Sequence, residues 1–140
     1  MYVLISACLL GVNCRYDGGS KFMEEIASLK DKYDLIPVCP EIFGGLPTPR
    51  EPAEIVGDRV ITKGGKDVTE NYKRGAEEVL KLAKFYHCKL AILKERSPSC
   101  GYGKVYDGTF SGSLRDGNGI TADLLIKNGL KVIGESDIIK

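Results

Sequence analysis

Three cysteines in this chain stand in the same local setting. Tyr2-Val3-Leu4-Ile5 runs into Ser6-Ala7-Cys8, Leu35-Ile36-Pro37-Val38 into Cys39-Pro40-Glu41, and Leu90-Ala91-Ile92-Leu93 into a loop holding Ser97-Pro98-Ser99-Cys100-Gly101. Each apolar run has the length of a buried strand, and each delivers one thiol at or just beyond its carboxyl end. Pro98 ends the third run, because proline lacks a donor and restricts the residue before it. If the three runs are parallel strands of one sheet, their thiols open onto one rim, where open α/β sheets bind ligands. Three converging thiolates outline a metal or cluster site.

The spacing narrows the choice of metal. Structural zinc commonly takes C-x-x-C pairs, and none is present; Cys8 and Cys14 are separated by five residues, and the single histidine, His87, lies away from all three runs. Isolated cysteines far apart in sequence suit a cluster whose irons are reached from different loops. Three cysteines on a four-iron cluster leave one iron without a protein ligand, a Lewis-acid position suited to a soft, sulfur-containing guest. Cys14 stands as an alternative fourth ligand that would close the site, or as a catalytic thiol. Cys88 sits beside a helix end, away from the strand rims, and reads as a buried core thiol.

Other side chains of these loops carry possible chemistry. Glu41 follows Cys39 by two residues; it is either a solvated loop carboxylate or, beside an anionic cluster, a group whose pKa would be raised so that it exchanges protons near neutral pH. Ser97 and Ser99 are either turn caps or hydrogen-bond donors to a substrate. Arg15, Lys21, Arg50, Lys94, Arg96 and Lys104 flank the cysteine loops; they are ordinary surface charge, compensation for a cluster, or a grip on a substrate phosphate. Lys94, Arg96 and Ser99 form the expected substrate-binding set. The glycine-rich stretches GGLPTPR and GYGKVYDG do not fit a phosphate-binding loop, which needs G-x-x-x-x-G-K-[ST] before a helix.

The elements that would position these residues follow from periodicity. Ser20 caps a helix reaching Tyr33, with Phe22, Ile26 and Leu29 inward. Residues 40–52 are a shaped loop dense in proline and glycine, and Glu54 to Thr62 a hairpin turning at Gly57-Asp58. Asp67 opens the strongest helix in a capping box with Glu70, and Tyr72, Ala76, Val79, Leu80 and Ala83 form its inner stripe. A last helix spans Asn118 to Asn128, ends at Gly129, and precedes a strand from Leu130 to Ile133. Strands alternating with helices predict an α/β fold, a three-layer Rossmann-like sandwich around a mainly parallel sheet of about four strands, with the hairpin as an excursion. Residues 1–140 are expected to form one domain.

Composition agrees with a globular chain: 43% of residues are hydrophobic, 28% charged, and the net charge is +1, which gives no global field to draw nucleic acid. The apolar stretch from Tyr2 to Val12 is too short to span a membrane and lacks a basic leader. A cytoplasmic setting is expected, and there five cysteines favour metal or thiol chemistry over disulfides.

The strings SACLLGVNCRYDGGSK, PVCPEIFGGLPTPREPAEI, DVTENYKRGAEEVLKLA and AILKERSPSCGYGKVYDGTFSG, in this order, resemble a bacterial family that includes the thiouracil desulfidases. The resemblance covers nearly the whole chain. It implies a Rossmann-like α/β domain, a [4Fe-4S] cluster on Cys8, Cys39 and Cys100, and Glu41 and Ser97 as catalytic residues. The implied reaction is non-redox removal of sulfur from a thiolated uracil base, nucleoside or nucleotide, giving the oxo base and hydrosulfide. Some relatives act on thiolated tRNA through an added helical domain that this sequence lacks, so a tRNA substrate is not expected. Cys14 lies in a family motif and Cys88 does not. The competing readings are a non-enzymatic sensor or interaction module holding iron-sulfur or zinc on four cysteines, and a thiol–disulfide redox protein, which the absence of C-x-x-C disfavours.

Overall fold

The computed structural model describes residues 1–138. In chain order the elements are β1 (Tyr2–Ser6), α1 (Glu24–Ala27), β2 (Asp34–Val38), α2 (Pro40–Phe43), the hairpin strands β3 (Ala53–Val56) and β4 (Arg59–Thr62), α3 (Thr69–Phe85), β5 (Leu90–Leu93), a second pair β6 (Lys104–Tyr106) and β7 (Leu114–Asp116), α4 (Ile120–Lys127) and β8 (Lys131–Gly134). Short 3-10 turns occupy Ala7–Leu10, Ser28–Asp31 and Glu135–Asp137.

The central sheet has four parallel strands in the order β2-β1-β5-β8. The chain leaves β1 for β2 on one side and returns for β5 on the other, so strand order reverses at β1. The crevice outside the carboxyl ends of β2, β1 and β5 is therefore a topological switch point. Pro37 is accommodated because β2 is an edge strand, where a missing donor breaks no second ladder.

Alternation along the strands builds three layers. Leu4, Ala91, Leu93 and Val132 face one side and pack with Val79 and Ala83 of α3 and Ala122 and Leu125 of α4. Val3, Ile5 and Ile92 face the other side and pack with Ile26 of α1 and Leu9 of the first 3-10 turn. Leu4, Ile5, Ile92 and Leu93 are fully buried, each contributing roughly 1.5–3 kcal/mol by leaving water.

Several local expectations change. The helix expected from Ser20 to Tyr33 is a single α turn from Glu24 continued by a 3-10 turn; Ile26 is buried, Leu29 is partly so, and Phe22 is 57% exposed against Gly11. α3 begins at Thr69 rather than Asp67, and no side chain caps it at Val68. Asp67 instead accepts the backbone N–H and hydroxyl of Thr69 at 2.9 and 2.6 Å, while Glu70 is exposed in the first turn. The 40–52 loop contains the one-turn helix α2, which begins at Pro40, the helix position where a missing N–H costs nothing. The antiparallel pair β6–β7 has no counterpart among the expected elements.

α2 lies directly against α3, and two glycines permit it. A Cβ on Gly75 would sit 1.9 Å from the Pro40 carbonyl oxygen, and one on Gly44 would sit 2.0 Å from that of Asn71. Asn71 Nδ2 donates to the Gly44 carbonyl at 2.9 Å. This contact fixes the turn that carries Cys39 and Glu41.

Candidate metal centre and active site

Each strand end delivers its thiol by a different local device. Cys8 lies in the 3-10 turn after β1, where the Cys8 carbonyl accepts N–H bonds from Gly11 and Lys21 at 3.2 and 2.9 Å. Cys39 is the residue that precedes α2, in extended conformation. Cys100 sits in the turn after β5, where its N–H donates to Ser97 Oγ at 2.6 Å and the next N–H, from Gly101, donates to the Ser97 carbonyl at 2.9 Å. All three thiols line one cavity of about 350 Å³, together with Cys14, Glu41 and Ser97.

Cys14 belongs to this site. Its thiol is electrostatically coupled to those of Cys39 and Cys8, which both act on its pKa, and its carbonyl accepts from Arg50 Nη2 at 3.1 Å and from Cys39 Sγ at 3.7 Å. Cys100 is served by two hydroxyls: the Ser6 and Ser99 side chains both act to lower its pKa against the rise from burial, and Ser6 Oγ, at the end of β1, accepts the Lys94 N–H at 2.8 Å. All five cysteines are free.

The donor set fits a soft metal group. The Cys39 thiol is pushed well above its ordinary range by its hydrogen bond to Cys14, by burial and by Glu41. Burial, then Glu41, pushes Cys100 the same way. For Cys14 the hydrogen bond from Cys39 lowers the value, but Cys8, burial and Glu41 together carry it up to about 11. A buried group of this kind gives up its protons to a bound cation, which inverts the local balance. Among the described residues no three Cys, His, Asp or Glu side chains converge to hold a single metal ion. A polynuclear cluster needs no such point, because it takes each thiolate at a different metal.

Glu41 is buried, with its carboxylate 3.9 Å from Cys39 Sγ and 3.7 Å from Arg50 Nη2. Burial raises its pKa and Arg50 opposes the rise. Tyr72 of α3 forms part of the wall and is 3% exposed.

The amino-acid pattern characteristic of the 2-thiouracil desulfurase family matches residues 3–137. The chain belongs to this family. It is 44% identical over 146 aligned positions to the uncharacterized protein YbbK of Bacillus subtilis, covering 97% of each chain. It is similar in structure to the [4Fe-4S]-dependent thiouracil desulfidase TudS, with a TM-score of 0.93, 44% identity, and coverage of 99% of this chain and 93% of that one. The α/β sandwich expected from the sequence is thus the fold of a thiouracil desulfidase.

Within this desulfurase-family fold the structure sorts the expected site residues. Cys8, Cys14, Cys39, Cys100, Glu41, Ser97 and Lys94 share the cavity. Lys94 Nζ is paired with Glu135 Oε2 at 2.9 Å and donates to the Glu95 carbonyl at 3.1 Å, so part of its donor capacity is taken. Ser99 is fully buried behind the cavity wall, where its hydroxyl bonds Thr121 Oγ1 of α4 at 2.9 Å and its side chain acts on the Cys100 thiol. Arg96 is exposed at a left-handed φ of 74° and stands outside the cavity wall. Lys104 is paired with Asp116 on the second hairpin. Cys88 is buried in the core against α3, as its position beside a helix end suggests.

Ser6, Tyr72, Glu54 and Phe110 are among the lining residues that the sequence did not single out for the site. Ser6 had a usable signal, a small hydroxyl at the carboxyl end of a buried strand. Arg50 stood among six flanking cations, with nothing to separate it from the rest. No helix among the described residues is long and apolar enough to cross a membrane.

Proposed function

We propose that this chain is an iron-sulfur-dependent desulfidase that removes sulfur, without net redox change, from a thiolated uracil base, nucleoside or nucleotide. Cys8, Cys39 and Cys100 would hold a [4Fe-4S] cluster, one from each strand end. The observation that carries this reading is that all three thiols and the Glu41 carboxylate open into one cavity. The similarity to a [4Fe-4S]-dependent thiouracil desulfidase supports it. A cavity of about 350 Å³ suits a small ligand.

When bound, such a cluster supplies a soft Lewis-acid iron for a thiocarbonyl sulfur. The remaining work falls to the chain. Glu41 takes a proton from the water that attacks the thiocarbonyl carbon. Arg50 holds that carboxylate in place. Ser97 accepts the Cys100 N–H on its oxygen, which leaves its own proton free to be donated as the carbon–sulfur bond breaks. The balance is one water consumed, a carbonyl formed and hydrosulfide released, with no electron acceptor required.

The test is hydrosulfide release from 2-thiouracil by protein loaded anaerobically with iron and sulfide. Glu41→Gln should keep its iron and lose turnover by about 100-fold or more; unchanged turnover removes Glu41 from the mechanism. A second reading has one observation in its favour, that Cys14 lines the same cavity as Cys8, Cys39 and Cys100. If Cys14 is a fourth ligand, the centre is closed and the protein is a sensor or interaction module, with no hydrosulfide released.

A further inference from the structure

Glu54 is a buried carboxylate on β3 that reaches out of its own hairpin. Its Oε1 accepts the N–H of Gly108 at 2.9 Å and that of Phe110 at 3.1 Å, both in the loop between β6 and β7. That loop is closely fitted. Gly108 has φ +94°, and a Cβ there would sit 2.8 Å from the Ile55 carbonyl oxygen. Phe110 has φ +56°, a conformation that an aromatic residue rarely adopts and that needs external support. Inside the loop, Asp107 Oδ1 accepts the Thr109 N–H at 3.0 Å and its hydroxyl at 2.6 Å. Phe110 lines the cavity that holds the four thiols.

The other aromatic residues of the wall, Tyr16, Tyr72 and Tyr106, are committed differently; Tyr106 has its backbone in the β6–β7 ladder opposite Leu114. Tyr72 is buried in the core, and Tyr16 lies under the Arg15 guanidinium at 5.6 Å. Phe110 is the aromatic group whose backbone is fixed by a buried charge from another hairpin, and its face carries no hydroxyl. A flat base is held by such a face through stacking, which tolerates differences in ring substituents.

We propose that Phe110 is the platform on which a pyrimidine ring lies in the cavity, and that Glu54 is the positioning residue that latches Phe110 there. The proposal rests on the desulfidase reading for the identity of the ring, but the latch itself does not.

Hydrogen exchange on the anaerobically loaded protein separates the two. In Glu54→Ala the amides of Gly108 and Phe110 should exchange at least about tenfold faster than in wild type. Glu54→Gln keeps a carbonyl acceptor and should restore slow exchange. Amides in the middle of α3 should be unchanged in both, which shows that the fold is intact. Uracil as probe should slow exchange of the loop in wild type and in Glu54→Gln, and fail to do so in Phe110→Ala. With 2-thiouracil, Phe110→Ala, Phe110→Leu and Glu54→Ala should each raise KM about tenfold with iron retained. Unchanged loop exchange in Glu54→Ala overturns the latch. Unchanged KM in Phe110→Leu overturns the platform. Absence of hydrosulfide release by wild type sinks the desulfidase reading, and the exchange comparison still decides the latch.

Discussion

The guanidinium of Arg50 joins two parts of the site: its Nη2 lies 3.7 Å from Glu41 Oε2 and donates to the Cys14 carbonyl at 3.1 Å. Its Nη1 donates to the Pro47 carbonyl and to Thr48 Oγ1, at 3.3 and 3.2 Å. One side chain thus ties the loop after β1 to the turn after β2 and faces the carboxylate assigned as the base.

Replacing Arg50 by Met removes the partner of a buried carboxylate, which costs roughly 3 kcal/mol. The sign of the pH effect follows from Glu41. Its folded pKa already lies above the unfolded value because of burial, with Arg50 pulling it down. Glu41 therefore costs stability as pH rises through its folded pKa, and Arg50→Met should deepen that loss. A base acts when ionised, so the acidic limb of the pH–rate profile should move to higher pH in Arg50→Met. Denaturant titrations across pH and kcat/KM profiles check both; a limb that stays in place or moves down counts against the pairing.

Gly75 controls the depth at which α2 rests on α3. A methyl group there would meet the Pro40 carbonyl oxygen at 1.9 Å, backbone against backbone, so α2 must move. Gly75→Ala should lower stability by roughly 2 kcal/mol and reduce bound iron per chain, because Cys39 stands at the start of α2. Normal iron content would show that Cys39 does not depend on this contact.

Ser99 separates a structural hydroxyl from a binding one. Ser99→Ala leaves the buried Thr121 hydroxyl without this partner, at a cost of roughly 1–3 kcal/mol, and should leave KM for 2-thiouracil unchanged. A raised KM with normal stability would restore Ser99 to the binding set.

The site was legible where it rests on local pattern. Short apolar runs ended by Ser6, Cys39-Pro40 and the Ser97-Pro98 turn are the marks of buried parallel strands, and parallel strands bring their carboxyl ends to one rim. Three thiols and Glu41 were readable on that ground alone. Arg50, Glu54 and Phe110 were not, because their roles depend on contacts between segments that local pattern does not join: Arg50 with Cys14, Glu54 with Phe110. Ser99 and Arg96 stand outside the cavity wall for a related reason. Neighbours of Cys100 in sequence point in different directions once the turn forms, Ser99 into α4 and Arg96 to solvent. The helix expected at Ser20 was misjudged because Phe22, at helical spacing from Ile26 and Leu29, lies on the surface against Gly11.

In the proposed centre three strand-end thiols hold the cluster while Cys14 stands beside it. Iron and acid-labile sulfide per chain, measured on anaerobically reconstituted wild type and on Ser variants of all five cysteines, test it most directly. Wild type should carry about four irons per chain, with retention in Cys14→Ser and Cys88→Ser and loss in Cys8→Ser, Cys39→Ser and Cys100→Ser. Loss of the cluster in Cys14→Ser, or its retention without any one of the other three, would contradict it.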